Sequence, residues 1–268
     1  MRQKFAATLR RLHLLSAAEL TLYLANYVKH FNENQMKEKE NPDFPFPPSF
    51  LMYDAYSSTR HQYYMESGKR TAAYLSDLIK SHAVDATEIS VLEWGCGPGR
   101  ILRHLPPLLP GASMYGSDYN KKSIVWLQNN ITEIQFGSNE LEPPLPFPEK
   151  LFDVIYSISV FTHLSERMHE AWAAEIHRRL NPGGFAIIST HGDACRGHLT
   201  ESEMKKYDAG ELVVRGNVYE GSRIFAAYQS PRFVRDRLLN HFEIEQHIPG
   251  PTPVGLQDLW VGRKRASQ

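Results

Sequence analysis

From Glu88 onward the chain alternates short β-rich runs with helical patterns. The runs are ISVLEW (89–94), SMYGSD (113–118), ITEIQF (131–136), FDVIYSIS (152–159) and GGFAIIST (183–190), and helical spacing occupies about 100–109, 120–130 and 165–180 between them. The last helix is the clearest, because Met168, Trp172, Ile176 and Leu180 recur every fourth residue. Glu166 stands near its start and Arg178 and Arg179 near its end, as the helix dipole prefers. Apolar strands separated by helices predict a parallel sheet covered on both faces. FEIEQHIPG (242–250) and LQDLWVGRK (256–264) read as two further strands around a Pro/Gly turn, with a helix near 231–240 ahead of them. The expected fold class is α/β: a doubly wound, mostly parallel seven-stranded sheet with an antiparallel C-terminal edge.

The first part of the chain is patterned differently. Residues 1 to about 31 read as helical, with Ser16 and Glu19 as a capping box and Leu20, Leu24, Tyr27 and Val28 on one face. Asn32 to Ser49 is polar and then proline-rich, which predicts a connector, and helical spacing resumes from Tyr63 to Ile79. Residues 1–50 are therefore expected to form a helical extension and connector, and 51–268 the main domain. Segment 191–229 is unusually long for a connection and holds two β-like runs around Gly216-Asn217 and Gly221. An insertion at that point is expected to act as a lid over a substrate.

Composition narrows the function classes. Thirty basic residues balance thirty acidic ones, so no global field attracts a polyanion, which argues against a nucleic-acid partner. Cys96 and Cys195 stand in no C-x-x-C pair; a disulfide framework and a zinc knuckle are disfavoured, and a reducing cytoplasm fits. No stretch approaches the ~20 apolar residues of a membrane span. Arg2, Lys4, Arg10 and Arg11 alternate with Phe5, Leu9 and Leu12. That pattern predicts a helix packing on its own domain, with weak membrane-surface contact as the alternative.

The run VLEWGCGPGR (91–100) carries the chemistry. A buried strand ends in Glu93, and a glycine-rich turn follows. Gly95, Gly97 and Gly99 remove Cβ atoms where the backbone must bend sharply and approach a ligand closely. The spacing is G-x-G-x-G, with Arg100 at the sixth position, which departs from the dinucleotide fingerprint and disfavours a nicotinamide oxidoreductase. Asp118 follows Gly99 by nineteen residues at the end of the second strand, where a carboxylate accepts both hydroxyls of a ribose. The alternative is an aspartate capping the next helix, a role that Asn120 could also fill.

With these residues the chain resembles the class I S-adenosylmethionine-dependent methyltransferases, over roughly residues 60–264. The resemblance rests on VLEWGCGPGR, GSDYN (116–120), NELEPPLPF (139–147), FDVIYSISVFTHL (152–164) and LNPGG (180–184), in the family's order and spacing. It is nearest to a bacterial group whose fourth strand continues as SVFTHL. Glu93 stands where the family more often has Asp. The resemblance implies a Rossmann-like sheet and S-adenosylmethionine as cofactor. It further implies that Gly95, Cys96 and Gly97 line the methionine and ribose portions and that Glu93 anchors the amino group through water. Asp118 would hold the ribose hydroxyls and Tyr119 would lie against the adenine. Asn139 would face the adenine amino group, the backbone of Glu140 a ring nitrogen, and the Ser157 carbonyl the methionine ammonium.

On the acceptor side, His163 follows the fourth strand and His191 ends the fifth, both at the carboxyl edge where such sheets bind ligands. Either is a candidate base for an attacking hydroxyl or amine. The alternative for His163 is packing at the entrance of the following helix. Tyr56, Tyr64 and Tyr228 are candidates to line the pocket, with the core as the favoured alternative. His191, Asp193 and Cys195 match no usual zinc spacing, so no metal site is expected. The acceptor expected is a small molecule or a glycan/lipid precursor, methylated on oxygen or nitrogen. The competing readings are a cofactor-binding partner protein without turnover and a nucleic-acid methyltransferase. YSIS (156–159) replaces the D/N-P-P-Y/F that exocyclic-amine enzymes carry after strand four.

Overall fold

The computed structural model describes residues 15–83, 87–148 and 150–265. Three helices come first: α1 (Leu15–Glu40), α2 (Ser49–Tyr56) and α3 (His61–His82). Five strands follow as β1 (Ser90–Trp94), β2 (Ser113–Asp118), β3 (Gln135–Ser138), β4 (Phe152–Ser157) and β5 (Leu180–Thr190). Helix α4 (Lys121–Asn130) joins β2 to β3, and α5 (Glu166–Arg179) joins β4 to β5. Beyond β5 lie α6 (Glu201–Asp208), β6 (Val213–Arg215), β7 (Ala226–Tyr228), β8 (Glu243–Ile248) and β9 (Asp258–Arg263). The main sheet has the order β3-β2-β1-β4-β5-β9-β8. Its first five members are parallel, and β9 and β8 close it antiparallel, as the sequence predicts. The order reverses between β1 and β4, which opens a crevice at their carboxyl ends.

Alternation along the strands builds two cores. Val91 and Val154 face Leu75, Ile79, Leu102 and Leu127, while Leu92 and Ile155 face Met168, Trp172 and Ile176. The fourfold repeat of α5 is thus its buried stripe, with Met168, Trp172, Ile176 and Leu180 all nearly inaccessible. Its Trp172 indole donates to the Leu141 carbonyl at 2.8 Å, tying α5 to the loop after β3.

Several boundaries depart from the sequence expectation. Helix α1 continues to Glu40 through the polar stretch predicted as connector, leaving only 41–48 for that role. Its polar residues have partners: the amide of buried Asn34 donates to Thr59 O at 2.7 Å and accepts from His61 N at 2.9 Å, capping α3 from outside. Ser16 falls within the described part of α1, and the capping box expected of it with Glu19 rests on a side chain outside what is described. The face turned inward carries Tyr23, Asn26, Tyr27 and Asn34, whereas Leu20, Leu24 and Val28 are exposed. The basic pattern of residues 2–12 lies outside the described residues.

The helix expected at 100–109 is one 3-10 turn at Leu102–His104, because Pro106, Pro107 and Pro110 deny the backbone its donors. The third strand begins at Gln135 instead of Ile131; Ile131 and Ile134 pack as loop anchors beneath α4. Strand β4 stops at Ser157, β5 starts early at Leu180, and the helix near 231–240 widens into a π-turn at Val234–Leu238. The two β-like runs of segment 191–229 pair antiparallel as β6 and β7. Their small core joins Val213 and Tyr228 to Cys195 and Tyr207.

Candidate active site

The loop after β1 turns back under β2: the amides of Gly95 and Cys96 both donate to the Ser117 carbonyl, at 2.7 and 3.0 Å. Gly95 has φ +80°, and a Cβ there would lie 2.2 Å from Val160 Cγ2. Glycine is needed for both reasons. Asp118, at the tip of β2, accepts the Gly97 amide on Oδ2 and the Asn120 amide on Oδ1, each at 2.7 Å. Asn120 caps α4, its side chain accepting from Lys122 N and Ser123 N. The cap is thus supplied by Asn120, and each Asp118 oxygen keeps acceptor capacity toward the crevice.

That crevice is a cleft open to solvent. Of the residues singled out in the sequence, Gly95, Gly97, Asp118, Tyr119, Asn139, Glu140 and His163 line it. Glu93, Cys96 and Ser157 stand behind its wall, each almost completely buried. Asn139 donates its amide to the Glu140 carbonyl at 2.7 Å, while its own buried Oδ1 has no partner. The Glu140 side chain turns outward to Lys121 at 2.8 Å. Ser157 Oγ and Tyr56 Oη are likewise buried without a partner.

Burial sets the electrostatics. It pushes the Glu93 carboxyl up to about 8, against the pull of the Arg100 charge and of the Leu102 amide, which donates to it at 3.1 Å. Asp118 is pushed up to about 6, again by burial, with the Asn120 and Gly97 amides holding it down. The Cys96 thiol is driven upward by burial and is therefore a neutral wall group rather than a nucleophile.

The two histidines separate. His163 lines the cleft, and its Nδ1 lies 2.6 Å from the Phe225 carbonyl. A carbonyl only accepts, so Nδ1 carries the proton and Nε2 keeps its lone pair. Burial lowers the pKa of this ring. His191 lies outside the cleft lining. It packs on β7, with Nδ1 donating to the Ala227 carbonyl at 2.9 Å, its ring against Tyr228, and its pKa lowered by burial to about 4.

The sequence motifs miss several lining residues. Asp54 and Tyr56 come from α2, Arg100 from the end of the glycine turn, Trp172 from α5, and Gly221 and Arg223 from the β6–β7 connection. Of the three tyrosines weighed between pocket and core, Tyr56 forms part of the wall. The connection is tied down at three points: Tyr119 Oη donates to Gly221 O at 3.2 Å, Gly221 N donates to His163 O at 2.9 Å, and Arg223 pairs with Glu19 of α1. Among the described residues no group of His, Cys, Asp and Glu is placed to hold a metal ion, and no helix is long and apolar enough to cross a membrane.

Residues 91–184, from β1 into β5, match the sequence profile of a family described as a methyltransferase domain. That stretch is a methyltransferase domain. It is 28% identical over 198 residues to the ubiquinone biosynthesis O-methyltransferase of Rickettsia bellii, covering 70% of this chain and 75% of that one. It is 23% identical over 186 residues to the malonyl-[acyl-carrier protein] O-methyltransferase of Bacillus cytotoxicus, covering 69% and 60%. In three dimensions this methyltransferase resembles the magnesium protoporphyrin IX methyltransferase of Synechocystis, solved with S-adenosylhomocysteine bound. The TM-score is 0.53 at 17% identity, over 88% of this chain and 97% of that one. It also resembles a methyltransferase from Methanosarcina mazei, with a TM-score of 0.52 at 20% identity over 71% and 98%. Its cofactor is S-adenosylmethionine.

Proposed function

We propose that this methyltransferase modifies an oxygen or nitrogen of a small molecule or a glycan/lipid precursor, with His163 as the base that accepts the acceptor's proton. The observation that carries the reading is a single cleft lined by the glycine turn, by Asp118 and by a histidine whose free Nε2 is fixed by the Phe225 carbonyl behind it. The polar atoms left without partners suit the cofactor. Asn139 Oδ1 is an acceptor for the adenine amino group, and the Glu140 backbone pairs a ring nitrogen. Asp118 holds the ribose hydroxyls and Tyr119 covers the adenine. Gly95, Cys96 and Gly97 shape the channel for the ribose and methionine, while Glu93, through water, and the Ser157 carbonyl receive the ammonium.

Bound there, S-adenosylmethionine supplies an electrophilic methyl carbon. The chain's own contribution is alignment and exclusion of water. His163 adds general-base catalysis, about 10²–10⁴-fold where the nucleophile must lose a proton. His163 takes this role rather than His191 because it alone of the two lines the cleft. Segment 191–229 acts as the lid of the 51–268 catalytic domain, pinned over the cleft at Gly221 and Arg223. The balanced charge supports a small acceptor over a polyanion, and the two free cysteines suit a reducing cytoplasm. The O-methyltransferase relatives from Rickettsia and Bacillus support a small or carrier-borne acceptor.

The test is S-adenosylhomocysteine formation over a panel of phenols, hydroxylated lipids and amines. With an accepted compound, His163→Gln should lower kcat about 100-fold and leave binding of S-adenosylhomocysteine intact. Asp118→Ala should abolish that binding. Unchanged binding in Asp118→Ala would remove the ribose assignment, and full turnover in His163→Gln would remove the base.

A further inference from the structure

Helix α1 is turned inside out relative to an ordinary surface helix, which points its apolar stripe at the core. Its inward side is polar and bonded. Asn26 Oδ1 accepts from Thr59 N at 2.9 Å, Asn34 binds Thr59 O and His61 N, Glu33 pairs with Arg60 at 2.6 Å, and Glu19 pairs with Arg223. Its outward side carries Leu20, Leu22, Leu24, Val28, Phe31 and Met36, between 40% and 73% exposed. These are six of the fourteen large apolar side chains exposed among the described residues, so the uncovered apolar surface is concentrated on one helix rather than scattered.

Width and charge name the partner. At 3.6 residues per turn the six side chains spread over about half the helix circumference, whereas a second helix in a coiled coil asks for a narrow two-position seam. A broad apolar arc suits a fluid, planar surface into which a helix sinks along its length. Between Leu20 and Met36 the only charged residue in that arc is Lys29. Every acid of α1 faces a group inside the molecule: Glu19 and Glu33 as above, Glu38 at 3.4 Å from His61, and Glu40 at 3.1 Å from Lys37. Lys29 and Lys39 are exposed and form no ion pair among the described residues. The residues ahead of α1 in sequence add Arg2, Lys4, Arg10 and Arg11 and no acid. Uncompensated positive charge beside an apolar face matches the headgroups of an anionic bilayer.

We propose that the outward face of α1 docks on an anionic lipid surface. Leu24, Val28 and Phe31 enter the boundary between headgroups and acyl chains, while Lys29 and the basic residues ahead of the helix stay at the headgroups. Glu19, on the inward side of the same helix, holds Arg223 of the cleft lining, so that wall of the cleft stands about one helix diameter, ~10 Å, from the lipid. The docking is independent of where the cofactor binds.

Co-sedimentation of the full-length protein with vesicles of phosphatidylcholine containing about one-third phosphatidylglycerol, against phosphatidylcholine alone, tests it. The protein should bind the anionic vesicles at least about 10-fold more tightly, and added salt should erase most of that difference. Leu24→Glu/Val28→Glu, at sites 51% and 73% exposed, should weaken binding to the anionic vesicles at least about 10-fold. Lys29→Gln should weaken it about 3- to 5-fold. Val125→Glu, at an exposed apolar site on α4, should leave it unchanged, which separates loss of the face from a mere added charge. Thermal denaturation reports that each variant is folded. No binding by the parent, equal binding to both vesicles, undiminished binding by the double variant, or an equal loss in Val125→Glu would overturn the proposal. So would sedimentation equilibrium showing a parent dimer that the double variant dissolves, which would assign the face to a second copy of the chain. No donor or acceptor enters the assay, so each of these outcomes leaves the cofactor reading standing.

Discussion

Replacing Glu93 by glutamine is expected to stabilise the unliganded enzyme while weakening its hold on the cofactor. Glu93 is 3% exposed, and burial raises its carboxyl from 4.5 to about 8. A raised carboxyl binds its proton more tightly in the folded than in the unfolded chain. Its contribution is therefore fully present below about 4.5 and is lost as pH rises toward 8. At a linkage slope of ~1.4 kcal/mol per pH unit, the loss accumulated by pH 7 is about 3 kcal/mol. Glutamine has nearly the same shape, still accepts the Leu102 amide and does not ionise, so it escapes that loss. With an unfolding entropy of ~2.1 cal/mol/K per residue, the whole chain gains roughly 2 °C per kcal/mol, or about 5 °C at pH 7. Thermal denaturation of parent and variant from pH 5.5 to 8.5 without ligand measures it. The gap should be small at the acid end, widen steadily to pH 8 and then level off. A gap independent of pH, or a parent more stable than the variant at pH 8, would refute the reasoning.

Other perturbations give simpler readouts. Gly95→Ala places a Cβ at 2.2 Å from Val160 Cγ2 with φ at +80°, so it should weaken S-adenosylhomocysteine binding at least about 10-fold. Gly183→Ala, at the same φ but in open space, should cost about 1 kcal/mol of stability and leave binding unchanged; titration calorimetry beside thermal melts separates the two. Asn34→Ala removes both hydrogen bonds that hold the start of α3 and leaves Thr59 O and His61 N without that partner. Chemical denaturation should show a loss of about 2–3 kcal/mol.

The sheet was legible because its parallel strands are short β-rich runs spaced by helical patterns, and because the stripe of α5 repeats without interruption. The third strand shifted since Ile131 and Ile134, which look like strand residues, are consumed in packing under α4. The polar half of α1 was unreadable for the opposite reason: Asn26 and Asn34 stabilise it through bonds to Thr59 and His61, and no local pattern announces such partners. In the site, the glycine turn and Asp118 announce themselves because backbone geometry demands them within one stretch of chain. Tyr56 and Arg223 do not. Each gains its place from an element distant in sequence, and His163 parts from His191 in that only the first lines the cleft.

The bond between Arg223 and Glu19 spans 204 positions of the chain and joins the β6–β7 connection to the first helix. The wall facing the sheet hangs on the main-chain bonds of Gly95 and Cys96 to Ser117 and on the Gly97 amide's bond to the Asp118 carboxylate, which any exchange of surface side chains leaves standing. The opposite wall is stitched from side chains of two remote segments. Under the placement proposed above, fidelity to one donor and choice of recipient reside in separable pieces of polypeptide, so a lineage can rewrite the second without disturbing the first.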